Sequence, residues 1–167
     1  MKFADLYETF FIRVYNYARY RCDTPQEAED LSACIFAKLY KKFNTYDKEK
    51  SPLEAWLFTV AHSVTVDFFR RKKIRAFFTL TQEQEETIIS SDNPQKAFEK
   101  VSLEEQLQKT LQGLSQQERE LINLHYYQHF KQSEIAKIMG LTQSNVGVLL
   151  HRAVKKLKIK LENEYEK

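Results

Sequence analysis

The sequence predicts an all-α protein: two small helical domains, a three-helix N-terminal bundle and a C-terminal helix-turn-helix bundle, joined by a flexible linker. Three observations carry this. Glycine and proline each occur only 3 times in 167 residues, too few for the turns that a sheet-rich fold consumes. Apolar residues recur at steps of three and four along most of the chain. Charge then divides it. Residues 1–82 hold 14 basic and 10 acidic side chains, residues 83–112 hold 3 and 7, and residues 113–167 hold 9 and 6. An acidic stretch therefore separates two mildly basic blocks, a layout suited to two nucleic-acid-facing modules. A hydrophobic share of 43% supplies a core and excludes collagen-like, low-complexity and wholly disordered chains. The uncharged runs are far shorter than the roughly 18 residues of a membrane span. The first residues lack a secretory layout, so the chain reads as cytoplasmic with no membrane insertion.

The first predicted helix places Phe3, Leu6, Tyr7, Phe10, Phe11, Val14, Tyr17, Ala18 and Arg21 on one stripe. Thr24, Pro25 and Glu27 then mark a helix start: a threonine that can cap, a proline where an N–H is unneeded, and a glutamate that can close a capping box. The second helix shows Ala28, Leu31, Ile35, Leu39 and Phe43 on one face and breaks at the polar stretch Asn44–Lys50. Ser51, Pro52 and Glu54 repeat the start signal. Leu53, Trp56, Leu57, Val60, Ala61, Val64 and Phe68 line the third helix, closing a first domain over residues 1–75. Residues 76–96, punctuated by Ser90, Ser91, Asp92, Asn93 and Pro94, form the predicted acidic linker. Fully extended, it would reach at most about 70 Å at ~3.3 Å per residue.

The second domain, residues 97–167, opens with a helix around Ala97–Leu111, and Ser115 with Glu118 writes another capping box. Ala136, Gly140 and Val146 then stand at the four-then-six spacing of a helix-turn-helix. The alanine lets two helices approach, the glycine takes the left-handed turn, and the valine packs the second helix on the first. Thr142 can cap that second helix. Its outward positions include Gln143, Ser144, Asn145, His151, Arg152, Lys155 and Lys156. Glutamine and asparagine can pair with adenine edges, arginine and lysine with guanine or phosphate.

In the first domain, Phe58, His62, Thr65 and Phe69 form a second stripe on the third helix beyond what the three-helix core needs, and Arg70, Arg71, Lys72, Lys73 and Arg75 follow it. Aromatic rings beside cations suit a single-strand platform, because bases stack on rings while phosphates pair with charge. A helix buried on two sides would show the same stripe. Enzyme signals are absent: no phosphate-cradling glycine loop, no nucleophile elbow and no metalloprotease motif. No catalytic residue, cofactor or metal ligand set is expected. His125 and His129 stand four apart with no third ligand nearby, and Cys22 and Cys34 read as buried structural thiols.

Two blocks resemble one family. The run from Ala28 to Phe43, then Trp56, Leu57, Val60, Ala61, His62, Ser63, Asp67, Arg70 and Arg71, is similar to the second conserved region of the extracytoplasmic-function (ECF) sigma factors, the compact branch of the sigma-70 family. Leu114, Ser115, Glu118, Arg119, Glu134, Ile135, Ala136, Gly140, His151, Arg152, Ala153, Lys155 and Lys156 resemble its fourth region. Departures are His62-Ser63 for Arg-Asn, Ala33-Cys34 for Gln-Glu, Lys131 at a helix start that usually carries serine or threonine, and Gly147, Val148 and Leu149 for Lys-Ser-Arg. The mid-helix glycine predicts a cost of ~1 kcal/mol relative to alanine.

The resemblance implies a non-enzymatic transcription initiation factor that binds core RNA polymerase and promoter DNA, with an anti-sigma factor as a further partner to test for. By resemblance, polymerase contacts would come from Asp30, Leu31, Ile35, Phe36, Leu39 and Tyr40, with Phe36 and Tyr40 standing partly off the core face. The −10 element would meet Asn44, Lys50, Phe58, His62, Ser63, Arg70, Arg71, Lys72 and Lys73, the Asn44–Ser51 loop taking an extruded base. The −35 element would be read by Gln143, Ser144, Asn145, His151, Arg152, Lys155 and Lys156. The alternative is a stand-alone helix-turn-helix regulator whose first domain binds a protein. The linker carboxylates Glu83, Glu85, Glu86, Asp92 and Glu99 are further expected to mask the basic faces of the free protein.

Overall fold

The computed structural model describes residues 2–82, 109–111 and 113–165, and every regular element among them is helical. Helix α1 spans Phe3–Arg21 and starts where the Asp5 carboxylate accepts the Lys2 backbone N–H at 2.7 Å. Helix α2 spans Pro25–Lys42. Thr24 Oγ1 accepts the Glu27 N–H at 3.2 Å, as the start signal requires, but the Glu27 carboxylate reaches the N–H of Asp23, not that of Thr24. A single 3-10 turn, Phe43–Thr45, ends α2. The loop after it is braced by the Tyr46 hydroxyl, which donates to Ser51 O, and by the Asp47 carboxylate, which accepts from Glu49 N–H.

Helix α3 spans Leu53–Gln82, so the expected boundary at residue 75 falls inside a helix. The stretch 74–82 contains no glycine or proline, and an established helix propagates at little cost where nothing breaks it. Ile74, Phe77 and Phe78 are exposed there. The expected helix Ala97–Leu111 and the five linker carboxylates lie outside the described residues, apart from the helical segment 109–111.

In the second module α4 spans Gln116–Ile122 behind a complete capping box: Glu118 N–H donates to Ser115 Oγ and Ser115 N–H to the Glu118 carboxylate. It runs into a π-helical turn, Asn123–Tyr127, closed by Gln128 N–H to Asn123 O at 2.9 Å. His129 then adopts a positive φ of 61°, and Phe130 is turned inward. Helix α5 spans Gln132–Met139 and α6 spans Gln143–Tyr165.

Leu6, Val14, Leu31, Ile35, Leu39, Leu57 and Ala61 fill the three-helix bundle, and Leu121, Leu124, Ile135, Val146 and Ala153 fill the second module. The two are not separate bodies. Helix α1 packs on α4 and α3 on α5, and the Phe58 and Phe130 rings meet edge to face at 5.4 Å between centroids, making one continuous core. The stripe of Phe58, His62, Thr65 and Phe69 is the reason. Phe58 and Thr65 are fully buried, with the Thr65 hydroxyl donating to Ala61 O, so this face is covered by protein and is not an open stacking platform.

Candidate nucleic-acid interface

The helix-turn-helix forms as its spacing predicts. Gly140 sits at φ 66°, ψ 34°, the left-handed region that an L side chain rarely enters, and Leu141 N–H donates to Ala136 O at 2.9 Å across the turn. Thr142 Oγ1 accepts the Asn145 N–H and caps α6. Lys131, at the start of α5, has no acceptor to cap with, and half the box survives: its N–H donates to the Glu134 carboxylate at 2.8 Å. A Cβ placed at Gly147 would meet only the side-chain oxygen of Gln132, at 3.2 Å, a contact that a small shift of that side chain relieves.

Val146, Leu150 and Ala153 turn inward, which leaves Gln143, Ser144, Asn145, His151, Arg152, Lys155 and Lys156 exposed. At about 100° per residue, Ser144, Val148, His151, Arg152 and Lys155 share one arc, with Gln143 and Asn145 flanking its N-terminal end. Lys156 stands apart. Its ammonium donates to the Glu118 carboxylate at 2.6 Å, tying α6 to α4. Burial alone would raise the Glu118 carboxyl, but that bond and those from Ser115 hold it below the ordinary value.

On the first module the structure divides the expected residues. Leu31, Ile35 and Leu39 are fully buried, and Phe36 is only 7% exposed because the Tyr7 and Phe11 rings cover it. None of the four has surface to give a partner; they support α2 from beneath. Asp30 is exposed and Tyr40 is 67% exposed, its ring edge against Phe3 at 5.1 Å. Asn44, Lys50, Ser63, Arg71 and Lys73 are exposed as well. Phe58, in contrast, packs between Tyr17 and Phe130 beneath the Arg13 guanidinium. Two of the cations are already engaged. Arg70 pairs with Asp67 at 2.9 Å and Lys72 with Glu27 at 2.5 Å, a hydrogen bond that raises the Lys72 pKa. A groove of about 850 Å³ runs between α2 and α3, past Asp30, Lys38, Lys41, Ser63 and Arg71. Cys34 lies in it, exposed rather than buried, whereas Cys22 is buried and its thiol is pushed up to about 12, chiefly by desolvation.

His62 is partly buried and reaches across to the second module. Its Nδ1 lies 2.9 Å from the carboxylate of Glu120, a residue of α4 that reasoning from the sequence passed over. Glu120 also accepts from the Tyr17 hydroxyl and pairs with Arg21. Burial would raise this carboxyl, yet Arg21 and the bonds from His62 and Tyr17 bring it down to about 2. One signal was available: Arg21 stands in the apolar stripe of α1, and a guanidinium there requires a buried acceptor. Among the described residues no group of three histidine, cysteine or acidic side chains is placed to hold a metal, and no helix is long and apolar enough to cross a membrane.

Residues 6–74 match the family model of sigma-70 region 2, and residues 104–157 match that of sigma-70 region 4. ECF RNA polymerase sigma factor SigF of Caulobacter vibrioides is 30% identical over 146 residues, covering 87% of this chain and 76% of that protein. The chain belongs to the ECF group of the sigma-70 family. RNA polymerase sigma factor YlaC of Bacillus subtilis is 28% identical over 154 residues, 92% of this chain and 88% of that one. The fold agrees with the sigma factor RpoE solved in complex with the anti-sigma factor NepR from Bartonella quintana, at a TM-score of 0.70 and 23% identity over 95% of this chain and 97% of that one. The ECF sigma factor is a promoter-directing transcription initiation factor, and a match to both regions disfavours a regulator that uses its helix-turn-helix alone.

Proposed function

We propose that the chain works as two promoter-reading modules, residues 1–75 and 97–167, on one polymerase-bound factor. Helix α6 would enter the major groove of the −35 element with Gln143, Ser144 and Asn145 at base edges, and His151, Arg152 and Lys155 on bases or phosphate. The α2–α3 surface would hold the −10 strand through Asn44, Lys50, Ser63, Arg71 and Lys73, with Arg70 and Lys72 contributing once their carboxylates are displaced. Asp30 and Tyr40 would meet core polymerase. An exposed tyrosine supported by a rigid aromatic layer is a favourable anchor for a protein partner. An anti-sigma factor is proposed as a third partner, since a protein of the same fold was solved with one. The site of action would be the cytoplasm, and catalysis would stay with the polymerase.

The observation that carries this reading is the exposed polar and basic face of α6, set against its buried Val146, Leu150 and Ala153. Run-off transcription with core polymerase over a genomic promoter pool tests it. Transcripts that require this protein are expected. DNA binding without any protein-dependent transcript would leave only a regulator.

A further inference from the structure

Helix α6 carries one side chain that neither its packing nor its hydrogen-bonding face accounts for. Val148 is 47% exposed. It lies in the second turn of α6 and, at about 100° per residue, nearly opposite the buried Val146, Leu150 and Ala153, so the core does not call for it. Its neighbours on the helix surface are Ser144 and Asn145 one turn before it and His151 and Arg152 one turn after. All four are exposed. From Ser144 to Lys155 the outward face is polar or basic except at this position.

Valine is a poor residue for an exposed helix position without a function. Its branched side chain loses χ1 freedom against the preceding turn and forms no hydrogen bond with water. Isolated exposed apolar residues are common on protein surfaces, and Val154, Ile159 and Leu161, farther along α6, are of that kind. Val148 differs in its place. The N-terminal turns of the second helix of a helix-turn-helix are the ones that approach base edges, and Val148 stands within them. The stiffness that is a cost in water is useful in a groove, where two methyl groups held in one rotamer make contact without further ordering. Adenine, guanine and cytosine show only hydrogen-bonding groups in the major groove, and these would lose water against a valine without gaining a partner. Thymine is the exception, because its C5-methyl group projects into the groove.

We propose that Val148 is a specificity-determining residue that packs on the 5-methyl group of a thymine in the −35 element. The proposal rests on the reading of α6 as the −35 helix, and adds to it an apolar base contact that Gln143, Ser144, Asn145 and Arg152 cannot make.

The test uses the full chain with core polymerase and the duplexes that the two select from a randomised DNA library. Each thymine of the upstream block, on either strand, is replaced in turn by deoxyuridine, which removes the methyl group and keeps the pairing edge. The parent is expected to lose about fourfold in affinity at one thymine, the effect of one methyl-sized group no longer buried, and little at the others. Val148→Ala should bind the unmodified duplex about fourfold more weakly than the parent and bind thymine and deoxyuridine equally at that position. Val148→Ile should restore the discrimination. Alanine is the stronger helix former, so the first variant does not weaken α6. A merely structural valine would change affinity for both duplexes alike and leave the difference between them in place. Equal binding of every deoxyuridine duplex by the parent, an upstream block without thymine, or a thymine preference that survives Val148→Ala overturns the proposal. If Gln143→Ala still changes the preferred upstream sequence in those cases, base reading by α6 stands and only the Val148 contact is refuted. If no upstream block is selected at all, both are refuted.

Discussion

Glu120 makes a quantitative prediction about acid stability. Its carboxyl is held at about 2 against an ordinary 4.5, with Arg21, His62 and Tyr17 overcoming the burial that would otherwise raise it. A depressed carboxyl contributes stability that is complete above its ordinary value and is lost as pH falls toward its folded value. At 1.36 kcal/mol for each tenfold difference in proton affinity, the contribution is about 3 kcal/mol at pH 5 and falls to about 1 kcal/mol at pH 3. Other carboxylates titrate in the same window, so the informative quantity is the gap in unfolding free energy between the parent and Glu120→Gln. That gap should narrow by about 2 kcal/mol between pH 5 and pH 3. Urea titrations followed by far-UV circular dichroism, at several pH values in this range and at constant ionic strength, measure it directly. The amide keeps the shape but not the charge, so packing losses enter both ends of the range alike. A gap that stays constant with pH would refute the reasoning, since the carboxylate would then not be held ionised by Arg21.

Two further outcomes separate surface from core. Tyr40→Ala should weaken binding to core polymerase while changing stability by under about 1 kcal/mol, as measured by pull-down and thermal melting, whereas Phe36→Ala should cost about 3 kcal/mol because it empties a packed site. Replacing Arg71 and Lys73 by alanine should weaken all promoter sequences alike and lower the salt slope of binding by about 1 for each phosphate no longer neutralised, while Gln143→Ala or Asn145→Ala should change which −35 sequence is preferred. Titration of polymerase–protein complexes on promoter variants at several salt concentrations reads both effects.

The helices and the turn of the recognition motif were legible because their signals are local. Thr24, Ser115, Gly140 and Thr142 each act within a few residues of their own position, and all four behave as their chemistry requires. Surfaces were harder, because exposure depends on what a distant segment covers. Phe36 looked free on the wheel of α2, yet Tyr7 and Phe11 lie over it. Phe58 looked like a platform, but Phe130 of the second module covers it. Helix α3 runs on to Gln82, past the expected domain boundary at residue 75, because nothing from 76 to 82 breaks a helix. Glu120 escaped notice for a related reason. A lone acid between Arg119 and Leu121 has no local signature, and its meaning arises only when Arg21 is brought to it from 99 positions away.

The central claim is that one chain reads two promoter elements on behalf of polymerase. Selection of bound duplexes from a randomised DNA library, with and without core polymerase, tests it most directly. With polymerase, sequencing should return two conserved blocks at a fixed separation of about 25 base pairs, the downstream block losing enrichment when Arg71 and Lys73 are replaced and the upstream block changing sequence with Gln143→Ala. A single block, or the same enrichment without polymerase, would contradict the account.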